Sequence, residues 1–396
     1  MLAIALQTQA KLLVAVVLCL ALAACGTNPP SAICNAPTPS SSTCTCGSGT
    51  AACPVNPGPE FLYAWSVGGQ ILAFSIDRNN NGNNGALTLI GSVSGPFLSL
   101  GLTAVNSQFL YASDTQNAQI DGFSINQTTG ALTALAGSPF STGTLSFPGD
   151  LASPPGDMGP ASSVLYASDG DTIDTFTISA AGTPTKVSGS PFVSEAGFSI
   201  VVDPSSYFLY AVDNVPPDGI FAFTTNPLTA VPNSPFTVPG QTVANSLRAG
   251  IADSGGSYVY VALSPTNQIA AFSIASGGSG ALTPVPGSPF PAGTTPTAVV
   301  VAENFLYAIN SADGTISGYS IDSTNGALTP LSGSPFAIVG FSVATDYFGQ
   351  HLYVAGPTGI QAFGVDSTSG GLTPVSGSPF PDVGVNLLTV VQIPPP

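Results

Sequence analysis

The stretch FLYAINSADGTISGYSIDSTNGALTPLSGSPF, residues 305–336, decides the fold because the chain repeats it. Related copies begin at Phe61, Phe109, Val164, Phe208, Tyr258 and His351, seven in all, spaced 48, 55, 44, 50, 47 and 46 residues apart. A period of this length marks a repeat architecture in which each copy is one supersecondary unit.

Each copy has the same parts. A short apolar segment such as Pro296–Ala302 leads to a strand of the FLYA type, then a strand such as Ile316–Ile321, then a Gly-containing turn and a fourth strand, Ala327–Leu331. Short strands in groups of four, separated by Gly, Asn, Ser and Asp turns, describe a propeller blade. The expected fold is therefore all-β, a seven-bladed β-propeller of four-stranded blades. The first copy lacks an inner strand, since Asn56–Glu60 precedes Phe61 directly, and the last is followed by an unmatched apolar segment, Asn386–Gln392. The C-terminal strand is expected to complete blade one, which ties the termini together and removes open sheet edges.

Two slots recur without exception. Tyr63, Tyr111, Tyr166, Tyr210, Tyr260, Tyr307 and Tyr353 fill the first, each preceded by Leu or Val. Neighbouring strand residues face opposite ways, so the pair is expected to contact both adjacent blades, with the Tyr hydroxyl on a backbone group. The second closes each copy with Pro-Phe (Phe97, Phe140, Phe192, Phe236, Phe290, Phe336, Phe380). Here Pro is expected to fix an extended crossover and Phe to wedge between blades. A reaction needs one site, so residues present in every copy read as scaffold.

Composition agrees. Charged residues are 6% of the 396, against about 25% in an ordinary soluble domain, while Gly (45), Pro (37) and Phe (22) are abundant. With four Lys or Arg and a formal charge of −16, the chain lacks the basic footprint that nucleic acid binding requires.

Residues 12–24, LLVAVVLCLALAA, form an apolar run of 13. That is short of the about 20 needed to span a bilayer and suits a signal-peptide core. The run ends in Leu22-Ala23-Ala24-Cys25-Gly26, which resembles the lipobox of bacterial lipoproteins, against the alternative of a plain secretory signal. The expected organisation is a lipoprotein signal peptide over 1–24, a Cys/Pro/Ser-rich tether over 25–58 and the propeller over 59–396. Acylation at Cys25 would hold the protein to a membrane without a spanning helix. Gly26 after the Cys favours, by analogy, the outer membrane, facing the periplasm or the cell surface. Cys34, Cys44, Cys46 and Cys53 lie in the tether. In an oxidising compartment they read as two disulfides with three possible pairings, and their spacing fits no zinc pattern well.

Candidate chemistry lies where copies disagree. The residue ending the FLYA strand is Asp114, Asp169 and Asp213 in copies two to four, Asn310 in copy six, and Ser66, Leu263 and Gly356 elsewhere. Three carboxylates on one arc would suit Ca2+ or another divalent cation; the alternative is that each Asp bonds its own turn. Asp171 and Asp218 lie close to the arc in sequence. Asp77-Arg-Asn-Asn-Asn-Gly82 matches half a calcium loop but has Thr88 where the acidic twelfth residue belongs, and reads as a lengthened hairpin. His351, the sole His, occupies a slot held by Phe, Val or Tyr elsewhere and reads as a strand residue. Arg248, on an inner segment, and Glu195, in a crossover, are the candidates for a clamp and a base at the channel mouth. Trp65 reads as filler of blade one, with a sugar-stacking surface as the alternative.

The repeat, and above all Val201-Val-Asp-Pro-Ser-Ser-Tyr-Phe-Leu-Tyr-Ala-Val-Asp213, resembles the lactonase-like seven-bladed propellers, which include 6-phosphogluconolactonase and muconate-lactonizing types. The resemblance covers residues 59–393 and implies the fold. It implies lactone hydrolysis less directly, because that family is thought to use His, Arg and Glu around the channel, and Gly197-Phe-Ser199 supplies no His. The expected function is a lipid-anchored extracytoplasmic binding or scaffold module for a small molecule, glycan or protein, expected to be monomeric. The alternative is a lactone hydrolase using Arg248 and Glu195.

Overall fold

A computed structural model describes residues 58–394, apart from 79–83, 144–146, 155–162, 170–171, 194–198, 213–218, 239–246, 253–255, 276–277 and 381–383. The leader, Cys25 and the four tether cysteines lie outside the described residues.

Seven antiparallel sheets form, one per sequence copy. In copy six, Pro296–Ala302, Phe305–Asn310, Thr315–Ile321 and Leu328–Pro330 run from the inner to the outer strand. In blade one the inner strand is Val385–Gln392, paired antiparallel with Glu60–Ser66, and Ile393 N–H donates to Pro59 C=O at 2.9 Å. The ring therefore closes where the sequence places the closure, by the C-terminal strand.

The burial pattern explains the FLYA slot. All six residues of Phe305–Asn310 are buried, with no alternation, because blades cover both faces of this strand. The outer strand Leu328–Pro330 keeps only its Leu buried. The apolar core falls into seven clusters, each between neighbouring blades. Phe61, Tyr63 and Trp65 point to blade two, while Leu62 and Ala64 point to blade seven. The period-two side-chain alternation of a strand thus becomes contact with two different neighbours.

The seven tyrosines form a ring of struts, six of them alike. Tyr63 O–H donates to Gly130 C=O, Tyr111 to Gly182, Tyr210 to Gly280, Tyr260 to Gly326, Tyr307 to Gly370 and Tyr353 to Gly85, over 2.6–3.2 Å. Tyr166 donates to Thr225 C=O at 3.1 Å. Each acceptor lies in the third-to-fourth strand hairpin of the next blade, and Tyr353 carries the ring from blade seven to blade one. In the six struts that end on a glycine the residue type has a steric reason. Gly370 has φ +66, and a Cβ there would stand 2.7 Å from the Phe305 ring. Only a residue without Cβ takes that conformation and that contact freely.

The closing Ser-Pro-Phe motif differs from the extended crossover its sequence suggests. The Ser-Pro bond is cis in six blades, and the Phe turns back to pair with the start of its own third strand, as Phe140 does with Ile120. The Ser oxygen accepts a backbone N–H from that strand, as Ser334 does from Gly318 at 2.9 Å. Phe336 still packs into the cluster between blades six and seven. Blade one departs from this pattern. It has Gly95 in place of the Ser, its outer strand Leu87–Ser94 pairs along the whole of Gln70–Ile76, and Phe97 is left 68% exposed.

Candidate functional site

Antiparallel order divides the loops between two faces. First-to-second turns and third-to-fourth hairpins share one face; second-to-third loops and crossovers share the other. Asp114 and Asp169 both stand at second-strand ends on the crossover face. Asp114, the last residue of Phe109–Asp114, is buried and accepts from Asn117 N–H at 3.1 Å and Asn117 Nδ2 at 2.8 Å. Asp169 accepts from Thr172 Oγ1 at 3.0 Å. Each is bonded to its own turn. Asp213, Asp171, Asp218 and Glu195 lie outside the described residues. Among the described residues, no three His, Cys, Asp or Glu side chains are placed to hold a metal ion. Arg248 is on the inner strand Leu247–Ala252 of blade five, opposite Ala262, at an irregularity of the ladder. Backbone alone places it beside the channel.

A carboxylate that the sequence reading missed lies beside the channel. Asp150 directly precedes the inner strand Leu151–Ala152 of blade three. One oxygen accepts from Leu151 N–H at 2.9 Å; the other accepts from Ile200 N–H at 3.1 Å and Ser199 Oγ at 3.3 Å. Ser199 and Ile200 begin the inner strand of blade four, so Asp150 ties two blades together around the channel. Burial pushes its carboxyl up to about 6, although the bonds from Ile200, Leu151 and Ser199 favour the charged form. A Gly-Asp before a weak inner strand is a poor sequence signal, and its partners lie 49 and 50 residues on.

A second charge cluster sits on the opposite face, at the seam between blades seven and one. Glu60 opens the second strand of blade one and is 2% exposed. Its Oε2 accepts from Arg78 Nη1 at 2.7 Å, and its Oε1 from Tyr347 N–H at 2.6 Å. The Arg78 guanidinium lies 4.8 Å from the centroid of Phe348. Asp346 accepts from Gln350 N–H at 2.6 Å and His351 N–H at 3.1 Å, and its other oxygen meets His351 Nδ1 at 2.7 Å. The buried His351 ring rests on Gly85 of blade one, as Phe208 rests on Gly280. His351 is thus a strand residue filling an aromatic slot. Burial first, and the Asp346 charge second, push the Glu60 carboxyl up to about 7, against the opposing pull of Arg78, the Tyr347 N–H and His351. Arg78 belongs to the lengthened hairpin, whose residues 79–83 are outside the described set. Trp65 is 3% exposed and donates from Nε1 to Pro96 C=O at 2.8 Å, so it fills blade one.

No protein-family model matches the sequence, and no curated protein matches it significantly. Solved structures do share the fold. A Bacteroides fragilis protein provisionally described as a 6-phosphogluconolactonase superposes with a TM-score of 0.67 at 17% identity, covering 85% of this chain and 98% of its own. A Bacteroides uniformis protein described in the same way gives 0.67 at 18%, over 85% and 100%. The periplasmic gluconolactonase of Pseudomonas aeruginosa gives 0.65 at 17%, over 85% and 100%. At these identities the likeness is one of fold.

Proposed function

We propose that this chain is a lipid-anchored, extracytoplasmic binding propeller, held to the envelope by acylated Cys25 and presenting its channel face to a ligand. The observation that carries this reading is the state of the channel-side and arc carboxylates. The Asp150 carboxylate accepts from Leu151, Ile200 and Ser199, that of Asp114 from Asn117, and that of Asp169 from Thr172, in its own turn or a neighbouring inner strand. Acceptors engaged in this way hold loops and blades in register, and are poorly placed to take a proton from water.

A lactone hydrolase is the second reading. It is favoured by the carboxyl of Asp150, raised to about 6 beside the channel, and by the fold shared with a gluconolactonase. In that reading Arg248 polarises the lactone carbonyl, and Glu195 or Asp150 takes a proton from water. The water oxygen bonds to the carbonyl carbon, the ring C–O bond breaks, and the proton passes to the departing alkoxide.

A panel of sugar and aliphatic lactones separates the two readings, measured with and without chelator. The binding reading expects wild-type rates equal to the uncatalysed rate. Turnover that falls in Arg248→Ala or Asp150→Asn would overturn it, and loss of turnover with chelator would point to a cation on the arc of Asp114, Asp169 and Asp213. For the anchor, Cys25→Ser should move the protein from the membrane pellet to the soluble fraction; unchanged membrane retention would remove that part of the reading.

A further inference from the structure

The third strands of blades two and three carry an Asp at the same register. Asp121 stands two residues before Phe123, and Asp174 two before Phe176. In blade three the fully buried Asp174 holds an ammonium group. Lys186 Nζ lies 2.7 Å from Oδ1 and 2.8 Å from Oδ2, and Ser190 Oγ donates to Oδ1 at 2.7 Å. Lys186 comes from the outer strand, paired with Phe176. In blade two the residue paired with Phe123 is Ala134. Ser138, the counterpart of Ser190, is kept, and donor and acceptor repeat: Gly122 N–H reaches Ser138 Oγ as Thr175 N–H reaches Ser190 Oγ, both at 2.9 Å.

Blade two thus keeps the anion and the hydroxyl and omits the cation. Among the described residues the Asp121 carboxylate accepts no hydrogen bond, and the charge that acts on it most is Asp114, of its own sign. Burial first and Asp114 second push its carboxyl up to about 6. Beside Asp121 and Ala134 there is an open cleft of about 370 Å3, lined also by Asp114, Asn117, Ser138 and Phe97 of blade one. Phe97 is available because blade one lacks the Ser-Pro turn that tucks its counterparts away.

We propose that this cleft seats the primary ammonium group of a ligand, bound at Asp121 as Lys186 Nζ is bound at Asp174, with the ligand body against Phe97. A charge-assisted contact to a partly buried carboxylate is among the stronger hydrogen bonds, an exposed aromatic ring offers apolar surface to the ligand body, and a chain of net charge −16 concentrates cations around itself. Compact amines fit, and amino sugars and polyamines both present this group. Asp114 lines this cleft and also belongs to the arc of the lactone reading, whereas Asp121 belongs to the cleft alone and is the residue the test turns on.

The test uses the purified full chain and calorimetric titration at low salt with spermidine, glucosamine and, as a neutral control, N-acetylglucosamine. The tighter of the two amines identifies the source. At least one amine is expected to bind and the N-acetyl sugar is not. Asp121→Asn should weaken binding tenfold or more. Ala134→Lys, at an exposed strand position, should abolish it by supplying the missing lysine from within, with the unfolding temperature retained. Binding of neither amine, equal binding of the neutral sugar, or full affinity in Asp121→Asn with non-specific attraction to the acidic surface would each overturn the assignment.

Discussion

The seam that closes the ring carries a pH dependence whose sign follows from Glu60. The carboxyl moves from 4.5 to about 7 on folding. A group whose folded pKa is raised binds more protons in the folded state, so stability grows as pH falls from about 7 toward 4.5 and is constant below. At about 1.4 kcal/mol per tenfold in proton affinity, the full span is about 3 kcal/mol. Glu60 is buried, so solvent screens little of it, and relaxation of the seam lowers the figure toward about 1–2 kcal/mol. The charges facing Glu60 are Arg78 from its own blade and Asp346 and His351 from blade seven, and Glu303 of blade six is also raised by burial and by Asp346. Asp121 and Asp150 shift in the same direction, so wild-type slope alone does not isolate Glu60. The difference between wild type and Glu60→Gln does. The amide keeps an acceptor for the Tyr347 N–H and removes the charge. Urea unfolding at pH 5 and pH 8 should show wild type gaining about 1–3 kcal/mol at the lower pH, with Glu60→Gln recovering most of that gain already at pH 8. If the Arg78 pair outweighs desolvation, Glu60→Gln loses stability at pH 8, and the reasoning fails. It fails also if the variant keeps the wild-type slope.

Two further predictions concern the ring itself. Tyr307→Phe removes the O–H that Gly370 C=O accepts at 2.7 Å and should cost about 1–2 kcal/mol, read as a fall of a few degrees in unfolding temperature; Tyr207→Phe, at a ring 70% exposed, is the matched control and should change nothing. Deleting residues 385–396 removes the inner strand of blade one, with its buried Val385, Leu388 and Val391, and should abolish soluble, cooperatively unfolding protein in circular dichroism melts; a truncated chain that melts like wild type would refute closure by that strand.

What the sequence made legible depended on repetition. Seven tyrosines at one slot announce a shared contact, and the struts they form are as regular as their spacing. The seam was illegible for the opposite reason. Glu60 and Tyr347 are 287 residues apart, each in a different copy, and no pattern within one copy pairs them. Arg248 and Glu195 are singular residues with no counterpart in the other copies, so sequence alone says little about where their charges point. Asp121 falls between these cases. Its strand register repeats in blade three, and the comparison that matters is Lys186 against Ala134. Blade three neutralises its buried Asp from within, which shows that the register accepts a carboxylate once a cation is supplied. Blade two retains the carboxylate without that cation, beside a second carboxylate that raises the cost of its charge. Other copies place Leu72, Phe221, Ala270, Ser317 or Gln361 at this position, so the blade does not need an acid there. An unneeded charge, held where the fold penalises it and opened to a cleft, is better accounted for by what it binds than by what it supports.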